Sequence, residues 1–387
     1  MSVTGPQGFV AGGVASGIKP SGDLDLAIVA TADGKPVAAA GVFTANKATA
    51  APVQVSRAHL DATGGYAAAV VLNSGNANAA TGERGRIDAG RMCELTAVAI
   101  GCATTDVLVC STGLIGFDLP MPCVESGVPK LAGVLSVDGG QTAADAILTT
   151  DTHRKQVLVS GNGFSVGGMA KGAAMLAPNM ATMLAVLTTD AEIAPAALAG
   201  ALSDAVAHSF NAMSVDGCTS TNDTVLVLAS GQGVEPTASE FAAALRAACS
   251  DLAGQMVGDA EGATRVINVR VMGAATADEA RAAARKVAES QLVKCSFYGQ
   301  DPYWGRVVSE VGSAGVAFDP DRVSVRYGET TVCRDGVAVE HDGDAVATHL
   351  AQRHVSVTAD LGLGPGEGVI LTNDLTHAYI DENMKTS

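Results

Sequence analysis

Short apolar runs, each cut off by turn-forming residues, set the tightest limit on how this chain folds. Residues 67–72, 107–110, 157–159, 184–187, 224–228, 266–271, 323–327 and 355–359 are rich in β-branched side chains, and Gly, Asn, Asp or Ser bounds each one, as expected of strands. Amphipathic stretches of helical length lie between them. Residues 87–100 carry apolar side chains at helical spacing, and 195–208 begin with a proline that a first helical turn tolerates. Thr237-Ala-Ser-Glu240 and Thr276-Ala-Asp-Glu279 are capping boxes ahead of alanine-rich segments. Several strands follow one another without an intervening helix, which disfavours an alternating doubly wound sheet. The pattern predicts an α+β fold, with helices layered on largely antiparallel sheets. A change to short strands and turns beyond residues 272–275 predicts a main unit over 1–275 and a smaller C-terminal α/β lobe over 276–387.

Composition narrows the function. With 48% hydrophobic and 17% charged residues in 387, the chain can bury a sizeable core. Its 24 basic against 40 acidic residues give a formal charge of −16, the opposite of a nucleic-acid surface. Eight cysteines form no CxxC pair, which predicts free thiols in a reducing compartment. Neither a leader-like N-terminus nor a bilayer-length apolar run is visible, so a cytoplasmic location without membrane contact is expected.

Most chemical motifs are missing. There is no GxxxxGK[ST], HExxH, EF-hand loop or GxSxG. The glycine-rich 362–368 lacks dinucleotide-binding spacing. The seven histidines form no i, i+4 pair, and His349 and His354 read as surface residues on a helix end. No metal site is expected.

One segment carries more. A glycine- and proline-broken loop with a single lysine, Lys171, runs through Ala181 into Thr182 and then into an apolar strand. A threonine hydroxyl is a weak nucleophile unless an amine serves as its base, and an N-terminal threonine supplies that amine itself. Such an amine has a pKa of about 7.7 to 8, near what a general base needs. Exposing it requires scission between Ala181 and Thr182, by attack of the hydroxyl on the Ala181 carbonyl and hydrolysis of the resulting ester. Spacing alone favours a threonine that simply opens a strand after a Pro-Asn turn.

Six segments, in order, decide between these readings. They are Val71-Leu-Asn-Ser-Gly-Asn-Ala-Asn-Ala79, Cys110-Ser-Thr-Gly-Leu-Ile-Gly116, Ile147-Leu-Thr-Thr-Asp-Thr152, Met169-Ala-Lys-Gly172 with Met180-Ala-Thr-Met183, Ser209-Phe-Asn-Ala-Met-Ser-Val-Asp216 with Thr219-Ser-Thr-Asn-Asp223, and Asp374-Leu-Thr-His-Ala-Tyr379 with Asn383. Spanning nearly the whole chain, they make it resemble the bifunctional glutamate/ornithine N-acetyltransferases of arginine biosynthesis. The resemblance implies a layered α/β sandwich of the N-terminal-nucleophile type and a precursor that cuts itself into chains 1–181 and 182–387. Two copies of each would form a heterotetramer. It also implies Thr182 as nucleophile, Thr112 and Gly113 as an oxyanion hole, and Thr149, Lys171, Thr182, Glu261, Asn383 and Ser387 as the substrate-binding set. Lys171 suits a substrate carboxylate and Glu261 an ammonium. The acetyl group would pass from N-acetylornithine to glutamate without metal or organic cofactor, acetyl-CoA being an alternative donor in bifunctional members.

The tail is one residue shorter than the usual ending, which leaves Thr386 as well as Ser387 for the last position. Tyr303 stands where asparagine is expected, and Trp304 is expected to anchor packing. Two alternatives follow from the same residues: a self-processing aminopeptidase or amidase, and an uncleaved structural or ligand-binding protein.

Overall fold

The computed structural model describes residues 2–175 and 183–384. The chain folds as two compact units, Met1–Asn211 with Cys218–Met256, and Ala212–Gly217 with Val257–Lys385.

The first unit stacks two sheets. One runs Phe9–Val14, Leu26–Thr31, Ala69–Asn73, Val107–Ser111; the other runs Tyr66–Ala67, Val37–Phe43, Thr224–Ala229, Leu184–Thr189, Ser165–Lys171, Lys155–Ser160. Neighbours are antiparallel except Ala69–Asn73 beside Val107–Ser111 and Thr224–Ala229 beside Leu184–Thr189. Side-chain alternation explains the stacking. Leu26, Ile28 and Ala30 pack with Met92, Cys93, Val124 and Leu131 from the helices Gly82–Ile100 and Met121–Ala132. Ala27 and Val29, pointing the other way, share a core with Met169, Val186, Leu226 and Leu228 of the second sheet. Helix Pro195–Ala207 lies against Val37–Phe43. Helix Ala238–Gly258 comes so close at Gly168 that a Cβ there would sit 3.2 Å from Leu252 Cδ1. The layers are therefore helix, sheet, sheet, helix.

In the second unit one sheet runs Val337–Ala338, Thr330–Arg334, Ser324–Tyr327, His354–Asp360, Val266–Ala274, Gly366–Asn373. Ile267, Val269 and Val271 enter its core, whereas Asn268 is exposed and Arg270 meets Glu367 at 2.8 Å. Helix Ala277–Glu289 covers the core face with Ala280, Ala283, Ala284 and Val287. Its backbone rests directly on Gly368, where a Cβ would lie 2.4 Å from the Arg281 amide nitrogen.

The α+β class and all eight expected strands are present. One capping box forms in full, Thr237 and Glu240 each accepting the other's amide, whereas Thr276 caps its helix by accepting the Glu279 amide without the reciprocal bond being seen. The second unit starts earlier than the expected 276, because Val266–Ala274 pairs on both sides with strands of that unit. Phe9–Val14, Val37–Phe43 and Ser165–Lys171 are further strands built largely of Ala and Gly, which carry little β-propensity of their own. His349 departs from its surface reading. It is half-buried in helix Gly343–Leu350, and its ring meets the Ser356 backbone, while His354 opens a strand. Trp304 packs on the second core as expected, and Tyr303 stays exposed beneath the Arg306 guanidinium.

Gly368→Ala should cost about 1–3 kcal/mol in urea unfolding, as overpacking against rigid backbone does. Gly254→Ala, which meets open space in a helix, should instead add roughly 0.5–1 kcal/mol. A Gly368→Ala chain as stable as the unsubstituted one would refute the close contact.

Candidate active site

Four of the expected site residues meet at strand ends of the first unit. Val107–Ser111 ends in Thr112 and Gly113, and the asparagine-rich turn after Ala69–Asn73 folds over them. Asn73 Nδ2 donates to the Asn76 carbonyl, and Asn76 Nδ2 donates to the carbonyls of Phe117 and Asp118. Asn76 bridges to both Thr112 and Leu114. The two backbones cross so tightly that a Cβ at Gly113 would sit 2.3 Å from the Gly75 carbonyl carbon, and Gly113 has φ +128°. Glycine is obligatory there on both counts. The Thr112 amide is committed to the Asn73 carbonyl at 3.0 Å. Its hydroxyl instead faces Lys171.

Lys171 ends the strand Ser165–Lys171 and is almost wholly buried. Its Nζ lies 2.7 Å from Thr149 Oγ1, 3.4 Å from Thr112 Oγ1 and 3.8 Å from Asp151 Oδ2. The fully buried Asp151 carboxylate also accepts from Lys155 Nζ at 2.6 Å, from the Gly172 amide at 2.7 Å and from the Thr149 amide at 3.1 Å. Burial by itself would raise the Asp151 pKa. The charges of Lys171 and Lys155, with the hydrogen bonds, overcome it and hold the carboxyl well below the usual carboxylate range.

Asp223 faces the start of strand Leu184–Thr189. Its Oδ1 accepts the Met183 amide at 3.0 Å, while Oδ2 is buried without a hydrogen-bond partner among the described residues. Burial pushes this carboxyl well above the ordinary aspartate value, against the opposing pull of the Met183 amide. Next to it, Asn222 donates to the carbonyls of Ala77 and Ser111 and so ties this loop to the asparagine turn.

Glu261 and Asn383 belong to the second unit, where Asn383 Nδ2 donates to Glu261 Oε2 at 2.6 Å. Asp259 and Glu382 share that neighbourhood. Burial first, then the charges of Glu261 and Asp259, raise the Glu382 pKa. Ala181, Thr182, Thr386 and Ser387 lie outside the described residues. Sequence reasoning gave no role to Asp151, Lys155, Asn222 or Asp223, although Asp151, Asn222 and Asp223 stand inside motifs it quoted. The four-residue spacing of Asp151 and Lys155 was the available signal. Among the described residues, no cluster of three or more His, Cys, Asp or Glu is placed to hold a metal ion, and no helix is long and apolar enough to cross a membrane.

A buried lysine thus lies between two threonine hydroxyls, beside a backbone crossing that only glycine permits. Comparison with known proteins makes the class specific. Residues 10–386 match the model of the ArgJ family, and the chain belongs to that family of arginine-biosynthesis acyltransferases. It is 49% identical to the arginine biosynthesis bifunctional protein ArgJ 1 of Streptomyces clavuligerus over all of both chains. Identity is also 49% to the ArgJ protein of Mycobacterium leprae, covering all of this chain and 95% of that one. Among solved structures, an ornithine acetyltransferase from Mycobacterium tuberculosis, in complex with ornithine, is 46% identical. That match covers 46% of this chain and 94% of the other, with a TM-score of 0.44. Relatives matched end to end carry arginine-biosynthesis names, which disfavours the aminopeptidase alternative.

The raised pKa of the buried Asp223 carboxyl has a measurable consequence. An unfolded aspartate is ionised above pH ~4, so folding takes up a proton at Asp223, and stability falls as pH rises from there toward the folded value. An asparagine in its place has no proton to take up. In an uncleaved Thr182→Ala background, the melting-temperature advantage of Asp223→Asn should widen from pH 4 to pH 8. A difference that stays constant over that range would show the carboxyl to be ionised in the fold.

Proposed function

We propose that this chain moves an acetyl group from N-acetylornithine to glutamate through an acetyl ester on Thr182. The placement of Lys171 Nζ within reach of the Thr149 and Thr112 hydroxyls carries this reading. It gathers three residues of the expected set around one ammonium, Thr112 and Lys171 from strand ends and Thr149 from the connection after helix Gly140–Ala146.

The Thr182 hydroxyl first attacks the Ala181 carbonyl carbon. The peptide C–N bond breaks, the acyl group passes to oxygen, and water hydrolyses the ester. Chain 1–181 gains a carboxylate and Thr182 gains an α-amine. That amine then accepts the Thr182 hydroxyl proton as the oxygen attacks the acetyl carbon of N-acetylornithine. The Thr112 hydroxyl and the Gly113 amide donate to the oxyanion, the kind of preorganised stabilisation that usually lowers such barriers most. Collapse breaks the acetyl C–N bond, and the amine returns its proton to the departing ornithine. Glutamate's α-amine repeats the attack on the ester and leaves as N-acetylglutamate.

Lys171 and Thr149 receive a substrate carboxylate. Glu261 and Asn383, in an acidic neighbourhood with Asp259 and Glu382, suit an ammonium. Ser387, or Thr386 in its place, completes the set. No metal or organic cofactor takes part in these steps, and acetyl-CoA is a candidate second donor. The cut halves assemble as two α and two β chains in the cytoplasm.

Thr182→Ala should leave one 38.6 kDa band on a denaturing gel, with no acetyl transfer, where the unsubstituted chain gives two bands of similar size. Ornithine release from N-acetylornithine should depend on added glutamate. Transfer by the Thr182→Ala chain, or release at equal rates without glutamate, would overturn the mechanism.

A further inference from the structure

The acyl-transfer reading uses Lys171 without saying what keeps its ammonium in place. We propose that Asp151 is a positioning residue that holds Lys171 against Thr112 and Thr149, and that Lys155 prevents Asp151 from closing onto Lys171. This rests on Lys171 being the group that receives the substrate carboxylate.

Three features of one carboxylate carry the argument. Its two oxygens fix both ends of the Lys171–Thr149 contact. Oδ1 takes the amide of Gly172, the residue after Lys171, and Oδ2 takes the amide of Thr149 itself. The backbone carrying the ammonium and the backbone carrying its hydroxyl partner are thus anchored to the same group. The distances to the two lysines are also unequal. Lys155 Nζ sits at 2.6 Å and Lys171 Nζ at 3.8 Å. The close ion pair belongs to Lys155, and Lys171 is attracted without being captured, which leaves its Nζ turned toward the hydroxyls. Finally, all three charged side chains are 97–100% buried. Such a cluster is a poor way to gain stability, since apolar packing of the same volume often does as well. A buried set of charges beside a reacting segment is better accounted for by what it does to the site.

Other groups face the cluster. Lys19, whose Nζ donates to the Leu24 carbonyl, is close enough to feel both Asp151 and Lys171. Asp223, whose carboxyl pKa is raised by burial, is also near enough to Lys171 to interact with it. With Asp151 as the carboxylate shared by Lys155 and Lys171, removing its charge should loosen Lys171 more than any other single change nearby.

The test is a double-mutant cycle on the processed enzyme, with KM for N-acetylornithine and kcat measured at saturating glutamate. Lys171→Met sets the reference and should raise KM at least ~10-fold with a smaller change in kcat. Asp151→Asn keeps the shape and removes the charge, and should raise KM by a similar ~10-fold. The double variant should be no worse than Lys171→Met alone, because residues acting through one contact are not additive. Effects that multiply in the double variant would show that Asp151 does not act through Lys171, and would overturn the proposal. If Lys171→Met leaves KM unchanged, it is the substrate role of Lys171 that fails. Should Asp151→Asn not process, Lys155→Met replaces it in the same cycle. It frees Asp151 to draw Lys171 off the hydroxyls, so KM should rise in the unsubstituted background and stay put beside Lys171→Met. An independent effect there would equally refute the positioning role.

Discussion

Burial of both faces of the stacked sheets governs everything else in the first unit. Strands such as Leu26–Thr31, Ala69–Asn73 and Val107–Ser111 have no exposed residue. No polar group can act from the middle of such a strand without a prohibitive desolvation cost. Chemistry is confined to the ends, where backbone turns supply hydrogen-bonding partners. Thr112 and Gly113 follow one strand, Lys171 closes another, and Met183 precedes a third. The asparagine turn after Ala69–Asn73 does the joining. Its side-chain amides donate to the carbonyls of Asn76, Phe117 and Asp118 and so pin the turn to the segment after Thr112.

Within that frame the polar groups come in compensated sets. Asp151 is shared by two ammoniums, and removing one partner of such a buried pair typically costs about 3–5 kcal/mol. At Asp223 the balance falls the other way, and burial outweighs the Met183 amide, the Ser220 hydroxyl and the Lys171 charge. Two aspartates near the same lysine are therefore shifted in opposite directions, down at Asp151 and up at Asp223.

Much of this was legible in the residues. Punctuated β-branched runs marked strand positions, although 67–72 divides between Tyr66–Ala67 and Ala69–Asn73 of different sheets, and the box at Thr237 and Glu240 formed as its spacing implied. The six ordered motifs identified the family and brought Thr112, Gly113, Thr149 and Lys171 forward as one set. What stayed hidden has physical causes. Strands of Ala and Gly look like loops because their stability comes from the partner sheet rather than from their own side chains. The unit boundary was hidden because Val266–Ala274 reads alike as the last strand of one unit or an inner strand of the next, until its pairing is seen. Asp151 and Lys155 drew no reading, since nothing in their spacing says that both are buried.

Strand Thr224–Ala229 is hydrogen-bonded on one side to Val37–Phe43 and on the other to Leu184–Thr189. A growing polypeptide that has not yet emerged to residue 229 lacks the piece joining its early segments to those around position 184. Nor does it hold Asn222 and Asp223, which tie that piece to the asparagine turn and the Met183 amide. The strand that opens just after Met183 therefore gains its neighbour, and the Met183 amide its acceptor, only once synthesis has run past residue 229.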